Sequence, residues 1–474
     1  MAKFNIAIID DGVNINFFPS TKVTNYKILK NNVFEYEIDG CNIHHADICL
    51  AILLKNLKYT DVNIISLQIL NESKHASAEE LSTALKWLLN KDITLISLSI
   101  GTSYYKDDVV LRKIINKLHY KGVIIVAAQN NNPFVTYPAY YSNVIGVQKK
   151  DSKDKRDYYF NANCSETGIQ LCALAEHQIE ISRKKMITQY SNSFATPYIS
   201  AEIINNLAEK KNFYQKLGYN NLIRFQGNSL YYQFNGCLNV AIICSDKYKK
   251  YILENYLDSN VVYKGNSFQF LNKMISDKIF QSIDTYILID WDETISMTEL
   301  KHFIEFPAEY YIIFKQKCFD YLPDKNILKK ILFQQEEIYP DLICLNELKE
   351  LDIPIVCISA NKTDIYKLLK IVLRTRKDFF ENDYNCRCIS NISLFKLYDI
   401  NYLENITVND LKAAIDFYNI DILIFAIATD FIDLIPKIFD INFYTQELDD
   451  FSIFKQIVSF YSPDENYLGG QENE

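Results

Sequence analysis

The sequence lacks the features that mark a nucleic-acid-binding or membrane-spanning protein. Its 474 residues carry a formal net charge of −9, and they contain no dense run of lysine and arginine. Because phosphate binding needs a concentrated basic surface, we expect no nucleic-acid partner. No apolar run reaches the ~18–20 residues of a membrane span, so we also expect no membrane partner.

Targeting and metal-binding signals are also missing. The chain enters an apolar strand pattern within its first few residues, so we expect neither a signal peptide nor a propeptide before Asp10. The eleven cysteines lack the spacing of a metal site, and we expect free thiols in the reducing cytoplasm. No acidic cluster has the spacing of a calcium loop. The sequence therefore predicts no cofactor and no metal.

What the first half does contain is a repeated alternation of strand and helix patterns. The predicted strands are 6–9, 62–70, 94–100, 123–128 and 144–147, and the predicted helices are 48–57, 77–90 and 108–120. The helix at 77–90 opens with a capping box formed by Ser77 and Glu80. Such alternation predicts an α/β fold, with a parallel sheet and helices on both of its faces.

Four chemically capable residues fall where these strands end or where helices begin. Asp10 follows the first strand, His45 stands at a helix start, Asn130 follows a later strand, and Ser193 precedes an apolar helical run. In α/β proteins the carboxyl ends of parallel strands hold the functional sites. Taken singly, each residue also fits a plain role as a solvated turn residue or a helix cap.

Ser193 begins a segment with helical periodicity. Ile199, Ile203 and Leu207 recur at every fourth position, so they share one helix face. The first N–H groups of a helix lack backbone partners, and the helix dipole favours negative charge there. A serine at this point can attack a carbonyl while its own N–H helps to hold the oxyanion. That role requires a histidine base and a carboxylate.

Segments around the candidate residues resemble motifs of the subtilisin-like serine peptidases, the subtilase (S8) family. The segment from Ile8 to Val13 resembles the aspartate motif. The segment from His44 to Cys49 resembles the histidine motif, which makes His45 the better candidate and His44 its neighbour. The order Asp, His, Ser along the chain is that of subtilisin.

Three further segments extend the resemblance over roughly residues 3–210. Ser97 to Gly101 resembles the segment that pairs with the substrate backbone. Val126 to Asn130 resembles the oxyanion motif, and Ser191 to Pro197 resembles the motif of the nucleophile. The resemblance implies a subtilisin-like parallel sheet flanked by helices.

The resemblance also implies a role for each residue of the site. Ser193 is the nucleophile, His45 the general base and Asp10 the group that orients the imidazole. The Asn130 amide is the oxyanion donor. The substrate-binding residues are Ser99, Ile100 and Gly101.

The motifs depart from the family pattern at several positions. Ala46, Gln129 and Ser191 stand where the family has glycine, and their side chains are expected to narrow the site or slow catalysis. Asp47 adds a negative charge near His45, and we expect it to raise the affinity of the imidazole for a proton. These departures favour a specialised and slow processing enzyme.

The second half begins a new strand-and-helix alternation after a linker at 211–236. Residues 237–460 are predicted to form a second doubly wound α/β domain of unknown role, and a division into two subdomains near residue 340 stays open. Within it, Lys362 and Thr363 follow a strand and precede a helix, the context of a phosphate-binding loop but without glycines. An ordinary βα turn and a degenerate nucleotide site are the two alternatives. Residues 461–474 are expected to be a flexible tail.

Two functions follow from these observations. The first is an intracellular serine endopeptidase that processes a ribosomally made precursor peptide. The arrangement of a minimal subtilase-like region followed by an α/β domain is similar to that of subtilases from bacterial peptide-maturation systems. Its partners would be the peptide substrate and maturation enzymes. The second is a catalytically weak or inactive scaffold that only binds peptide in such a complex.

Overall fold

A computed structural model of the chain describes most of residues 4–211 and 239–461. Short stretches inside these ranges are outside the description, and the longest of them are 162–168, 267–282, 297–309, 316–329, 335–347, 430–438 and 446–452. The predicted linker, apart from its first residue, and the predicted tail, apart from its first residue, lie outside the described residues.

The N-terminal region is built on a nine-stranded sheet with the order β3-β2-β4-β1-β5-β6-β7-β9-β8. All neighbours from β2 to β9 pair in parallel, whereas β3 and β8 close the two edges by antiparallel pairing. Its strands are β1 (Phe4–Asp10), β2 (Lys22–Leu29), β3 (Asn32–Glu35), β4 (Val62–Gln68), β5 (Leu95–Leu98), β6 (Ile124–Ala128), β7 (Ile145–Lys149), β8 (Tyr158–Phe160) and β9 (Leu171–Ala173).

Of the helices that the structure describes here, four cover this sheet, two on each face. They are α1 (His45–Asn56), α2 (Ala78–Leu89), α3 (Asp107–Tyr120) and α4 (Asn192–Ala208). A separate hairpin of β10 (Gln178–Ile181) and β11 (Lys184–Ile187) precedes α4.

The central strand β1 shows how the sequence builds both faces. Ile6 and Ile8 belong to the core that includes α1 and α4, whereas Ala7 and Ile9 belong to the core that includes α2 and α3. A strand buried on both faces reads as a continuous apolar run, because alternate side chains point to opposite faces. The predicted parallel sheet with helices on both faces is therefore confirmed.

Helix positions also follow the local sequence signals. Ser77 caps α2 and exchanges hydrogen bonds with Glu80, which is the predicted capping box. The predicted strands and helices of this region fall within a few residues of their observed bounds. Six strands in the described part of this region were not predicted, namely β2, β3, β8, β9, β10 and β11. They are short, edge-lying or half-exposed, so their apolar pattern is weak.

The C-terminal region contains two separate five-stranded parallel sheets. The first has the order β13-β12-β14-β15-β16, and the second has the order β19-β18-β20-β17-β21. Their strands are β12 (Asn239–Cys244), β13 (Asn260–Gly265), β14 (Thr285–Asp290), β15 (Tyr310–Lys315), β16 (Lys330–Gln334), β17 (Ile355–Ala360), β18 (Cys386–Ser390), β19 (Asn401–Tyr402), β20 (Ile422–Ala428) and β21 (Ile441–Tyr444).

The described helices of this region are α5 (Asp246–Lys249), α6 (Ile365–Glu381), α7 (Val408–Tyr418) and α8 (Ile453–Tyr461). Between β17 and α6, residues Lys362–Asp364 form a single 3₁₀ turn. The choice between an ordinary turn and a nucleotide site there stays a prediction.

The second of these sheets is in contact with the N-terminal region. Tyr140 and Tyr418 share a hydrogen bond of 2.7 Å between their hydroxyls, and both are buried. Residues of β17, β20 and α7 lie in the same apolar cluster as residues of α2 and α3. Among the helices that the structure describes, none is long and apolar enough to cross a membrane.

Candidate active site

Asp10 and His45 meet at the carboxyl end of the central strand. Asp10 is the last residue of β1 and only 1% exposed, and His45 is the first residue of α1. Asp10 Oδ2 lies 2.8 Å from His45 Nδ1. Because a carboxylate accepts hydrogen bonds, this contact places the proton on Nδ1 and leaves the Nε2 lone pair available.

Asp11 connects the same strand end to the first turn of α1. Its Oδ2 accepts the backbone N–H of His45 at 3.0 Å, and its Oδ1 accepts that of Ala46 at 2.8 Å. The negative charge also lies at the positive end of the helix dipole. Asp11 thereby holds the helix that carries His45 against the strand that carries Asp10, a role that the sequence reading did not assign.

Asp47 has a structural role that differs from the expected one. It is fully buried, and its carboxylate accepts the backbone N–H groups of Asn14 at 2.7 Å and His44 at 2.8 Å. Burial raises the pKa of Asp47 to about 6, which those two hydrogen bonds oppose. The groups that raise the proton affinity of His45 are instead Cys49 and Asp10.

The surroundings shift the pKa values of both members of the pair. Burial raises the pKa of Asp10 above 3.8, and the hydrogen bond from His45 opposes that rise. The pKa of His45 is raised above 6.5, first by the charge of the Cys49 sulfur and then by its bond to Asp10, while burial acts in the opposite direction. Cys49 lies one turn along α1, with its Sγ 3.8 Å from Nδ1.

Ser193 is the second residue of α4, as the sequence predicted for its helix start. Pro197, one turn later, has no N–H to bond the Ser193 carbonyl oxygen. The Ser99 hydroxyl donates to that oxygen at 2.9 Å instead. A proline inside the helix thus connects the nucleophile segment to the end of β5.

The Ser193 hydroxyl is hydrogen-bonded to the backbone of Ser99 and not to the imidazole of His45. Its Oγ donates to the Ser99 carbonyl oxygen at 3.4 Å, and the structure gives it no hydrogen bond to His45 within the described residues. The His45 ring packs beside Phe194, with ring centroids 5.2 Å apart. Catalytic hydrogen bonds commonly tighten only when substrate binds.

Asn130 lies on the other side of Ser193, at the end of β6. Its side-chain Oδ1 accepts the backbone N–H of Asn132 at 3.0 Å, which orients the amide and leaves its NH₂ group toward the exposed side. The Asn130 backbone N–H donates to Thr136 Oγ1 at 2.9 Å. Asn130 and Ser193 line the same cavity.

Asn192 positions the nucleophile relative to Asn130. It is 3% exposed, and its side-chain NH₂ donates to the carbonyl oxygens of Asn130 at 2.8 Å and Gln129 at 3.2 Å. Its Oδ1 accepts the backbone N–H of Lys149 at 2.8 Å. We did not predict a role for Asn192 from the sequence. The only signal available was its position directly before Ser193.

One cavity of about 550 Å³ joins the predicted substrate-binding residues to the nucleophile. Its lining includes Ser193 and Asn130 together with residues from three segments, 69–81, 99–103 and 128–131. At Gly101 a side chain would stand 2.6 Å from Thr136 Cγ2, so only glycine fits there. Ser99, Ile100 and Gly101 therefore form one wall of this groove.

The three residues that replace the family's glycines fall in different surroundings. Ala46 is buried in the first turn of α1, and Gln129 lines the groove. Ser191 caps α4, and its hydroxyl donates to Asn131 Oδ1 at 3.2 Å. Only Gln129 is placed to narrow the groove.

One group of side chains in the described part could hold a metal ion. The ligand atoms of Asp10, His45 and Cys49 all lie within 4.8 Å of one another. A soft ion on a thiol and an imidazole is chemically reasonable. An ion bound there would occupy Nδ1 of His45 and displace its hydrogen bond to Asp10.

Comparisons with known proteins show which family the N-terminal region is similar to. The model described as "Subtilase family" matches residues 2–216. Thermitase of Thermoactinomyces vulgaris is 26% identical over 162 residues, which are 32% of this chain and 57% of that protein. Minor extracellular protease Epr of Bacillus subtilis (strain 168) is 26% identical over 98 residues, 20% of this chain and 15% of the relative. The chain thus spans about half of the length of Thermitase and a smaller part of the length of Epr.

Solved structures include similar chains at lower identity. The structure described as that of the prenylagaramide maturation protease PagA is 18% identical, with a TM-score of 0.34 over 44% of this chain and 78% of that chain. The matched segment contains the sheet, the helices and the candidate residues described above. Residues 2–216 of this chain thus match the subtilase family model, and they have a subtilisin-like fold with a parallel sheet flanked by helices.

Proposed function

We propose that the chain is an intracellular serine endopeptidase that hydrolyses peptide bonds with Asp10, His45 and Ser193 as its triad. The observation that carries the proposal is the 2.8 Å contact between Asp10 and His45 Nδ1, made beside a groove that Ser193 and Asn130 both line. The match of residues 2–216 to the subtilase family model supports the same reaction.

The proposed reaction proceeds by acyl transfer. Ser193 Oγ attacks the scissile carbonyl carbon while its proton passes to His45 Nε2. Asp10 holds the imidazole in its Nδ1–H tautomer and stabilises the cation that forms. The Asn130 NH₂ and the Ser193 N–H stabilise the oxyanion. His45 then protonates the leaving amine as the C–N bond breaks, and water hydrolyses the acyl ester.

The proposed substrate is a ribosomally made precursor peptide. The support is the resemblance of the motifs to subtilases of peptide-maturation systems, together with a groove whose wall at 99–101 follows β5 and can pair with an extended chain. Maturation enzymes are the proposed partners. The proposed cytoplasmic location rests on the cysteines, because six of the seven that are described are buried free thiols.

A non-catalytic peptide-binding scaffold is the second candidate. The observation in its favour is the hydrogen bond that Ser193 Oγ donates to the Ser99 carbonyl oxygen rather than to His45. If that bond persists with peptide bound, Ser193 is not activated.

Covalent labelling with a fluorophosphonate probe distinguishes the two functions. The full chain should be labelled, and Ser193→Ala should lose labelling, while Ser191→Ala serves as the matched control because Ser191 lies two residues away with its hydroxyl on Asn131. A folded wild-type chain that the probe does not label would support the scaffold instead. Mass spectrometry of the labelled peptide identifies the modified serine.

A further inference from the structure

The segment Thr102–Asp107, here called the strap, continues the groove wall beyond Gly101. Thr102, Ser103 and Asp107 line the same cavity as Ser193. The backbone of Thr102 exchanges two hydrogen bonds with that of Tyr137, at 3.0 and 2.8 Å. The inner side of the strap is therefore part of the surface that a peptide in the groove would contact.

Short side-chain bonds give the strap a closed shape. The Thr102 hydroxyl donates to Asp107 Oδ2 at 2.5 Å and accepts the backbone N–H of Tyr104 at 3.1 Å. Asp107 is also the first residue of α3, so the strap ends on a long helix. A displacement of its outer side would accordingly be transmitted to the groove wall.

The outer side of the strap is held by the C-terminal region. Tyr105 packs edge-on against Phe380, with ring centroids 5.6 Å apart. The Lys106 ammonium lies 5.5 Å from the centre of the Phe380 ring and forms an ion pair with Asp383. The Tyr104 hydroxyl donates to Asp383 at 3.4 Å. Three consecutive strap residues thus contact the end of α6 and the turn that follows it.

The backbone conformation and the carboxylate of Asp383 both favour this contact. Its backbone has a φ of 69°, in the left-handed region, where only aspartate, asparagine and glycine are at ease. It directly follows the end of α6 and presents its carboxylate to two strap side chains. The contact is made by residues almost 280 positions apart in the sequence.

We propose that Phe380 and Asp383 are positioning residues that hold the strap in place and thereby preorganise the groove for an extended peptide. The inference rests on the proposed peptidase function and assigns the C-terminal region a part in it. A loop that is already ordered loses less conformational entropy when ligand binds, so affinity for peptide rises without any new contact to it. Reagents too small to reach the strap are unaffected.

Two covalent probes separate this role from the chemistry at Ser193. One is a small alkyl fluorophosphonate, and the other is a panel of tetrapeptidyl diphenyl phosphonates, of which the fastest with the wild-type chain is used. In both cases the Ser193 Oγ–P bond forms as fluoride or phenoxide leaves. The second-order labelling rates are measured for wild type, Asp383→Asn and Phe380→Ala.

We expect labelling by the peptidyl probe to slow about 10-fold in Phe380→Ala and about 2- to 5-fold in Asp383→Asn, with the fluorophosphonate rate unchanged. Asp383→Asn keeps the left-handed backbone and tests the ion pair alone. Glu381→Gln is the matched control, because it removes only an exposed ion pair with Lys377 on the same helix end.

Each remaining outcome decides against the proposal. Equal peptidyl rates in all folded variants would show that the strap is not held by these residues. An equal loss with both probes would assign the effect to general destabilisation. If the wild-type chain reacts with the fluorophosphonate but with no peptidyl probe, the groove does not bind peptides. If it reacts with neither probe, the proposed function itself is wrong.

Discussion

On the base side of the site, three carboxylates lie within one strand end and one helix turn, and each of their six oxygens accepts a hydrogen bond. These residues are Asp10, Asp11 and Asp47. On the nucleophile side, Ser193 Oγ has one long bond of 3.4 Å, and the Asn130 amide is exposed. In the proposed mechanism the base is therefore preorganised, whereas the nucleophile side is left for substrate to complete. A bound peptide can therefore supply the alignment that the isolated chain lacks.

Breaking the nucleophile side should have the largest effect. Asn130→Ala removes the side-chain oxyanion donor, and we expect the rate of peptide hydrolysis to fall about 10²–10³-fold. Because the bond is made to developing charge, the loss should lie in kcat rather than in KM. Steady-state kinetics with a fluorogenic peptide measure both. Asn132→Ala is the control, since only the backbone of that residue contacts Asn130; an equal loss in the control would exclude the oxyanion role.

Breaking the base side should have a smaller effect on rate and a clear effect on stability. Asp11→Ala leaves two N–H groups in the first turn of α1 without their acceptor, and we expect it to cost about 1–2 kcal/mol in the free energy of unfolding. Because α1 also carries His45, the labelling rate should fall about tenfold. Urea denaturation and fluorophosphonate labelling measure the two quantities.

The control for this substitution is Glu79→Ala. Glu79 is an exposed acid in the first turn of α2, which packs on the opposite face of the sheet from α1. If Asp11→Ala has the same stability and labelling rate as this control, Asp11 does not hold the helix that carries His45.

The pH dependence sharpens the comparison further, with the smallest expected change. His45 acts as a base only when it is neutral, so its raised pKa moves the acid limb of the pH–rate profile to higher pH. Cys49→Ala removes the first cause of that shift, and we expect the acid limb to move to lower pH. The position of the acid limb is measured from the profile of kcat/KM between about pH 5 and pH 9, a range that includes the ordinary pKa of histidine. A limb that stays in place would show that Asp10 alone sets the pKa.

Local sequence patterns predicted the elements that carry the site. The apolar run of β1, the periodicity of α4 and the capping box of α2 each involve residues within one or two turns of one another. Edge strands such as β3 and the hairpin of β10 and β11 are half-exposed, so their patterns were too weak to predict. The sequence left open whether the C-terminal region forms one unit or two. The strand order of the structure shows two five-stranded sheets there.

The supporting residues of the site could not be predicted in the same way. Asp11 reads as a turn acid, and Asn192 and Cys49 read as ordinary helix residues. The partners of Asp11 and Asn192 lie 34 to 63 positions away along the chain, whereas Cys49 lies one helix turn from His45 and 50 positions from Ser99. Whether a polar side chain meets such a partner depends on which strands are neighbours, and no local periodicity carries that information.

The sequence by itself determined that an aspartate, a histidine, an asparagine and a serine stand at strand ends and helix starts, because those positions follow from periodicity and capping. Only the tertiary structure decided that Asp10 contacts His45, that Ser99 holds both the carbonyl and the hydroxyl of Ser193, and that Asp383 reaches the strap. Sheet order and packing bring these distant groups within hydrogen-bonding distance, and that is a property of the whole fold rather than of any segment.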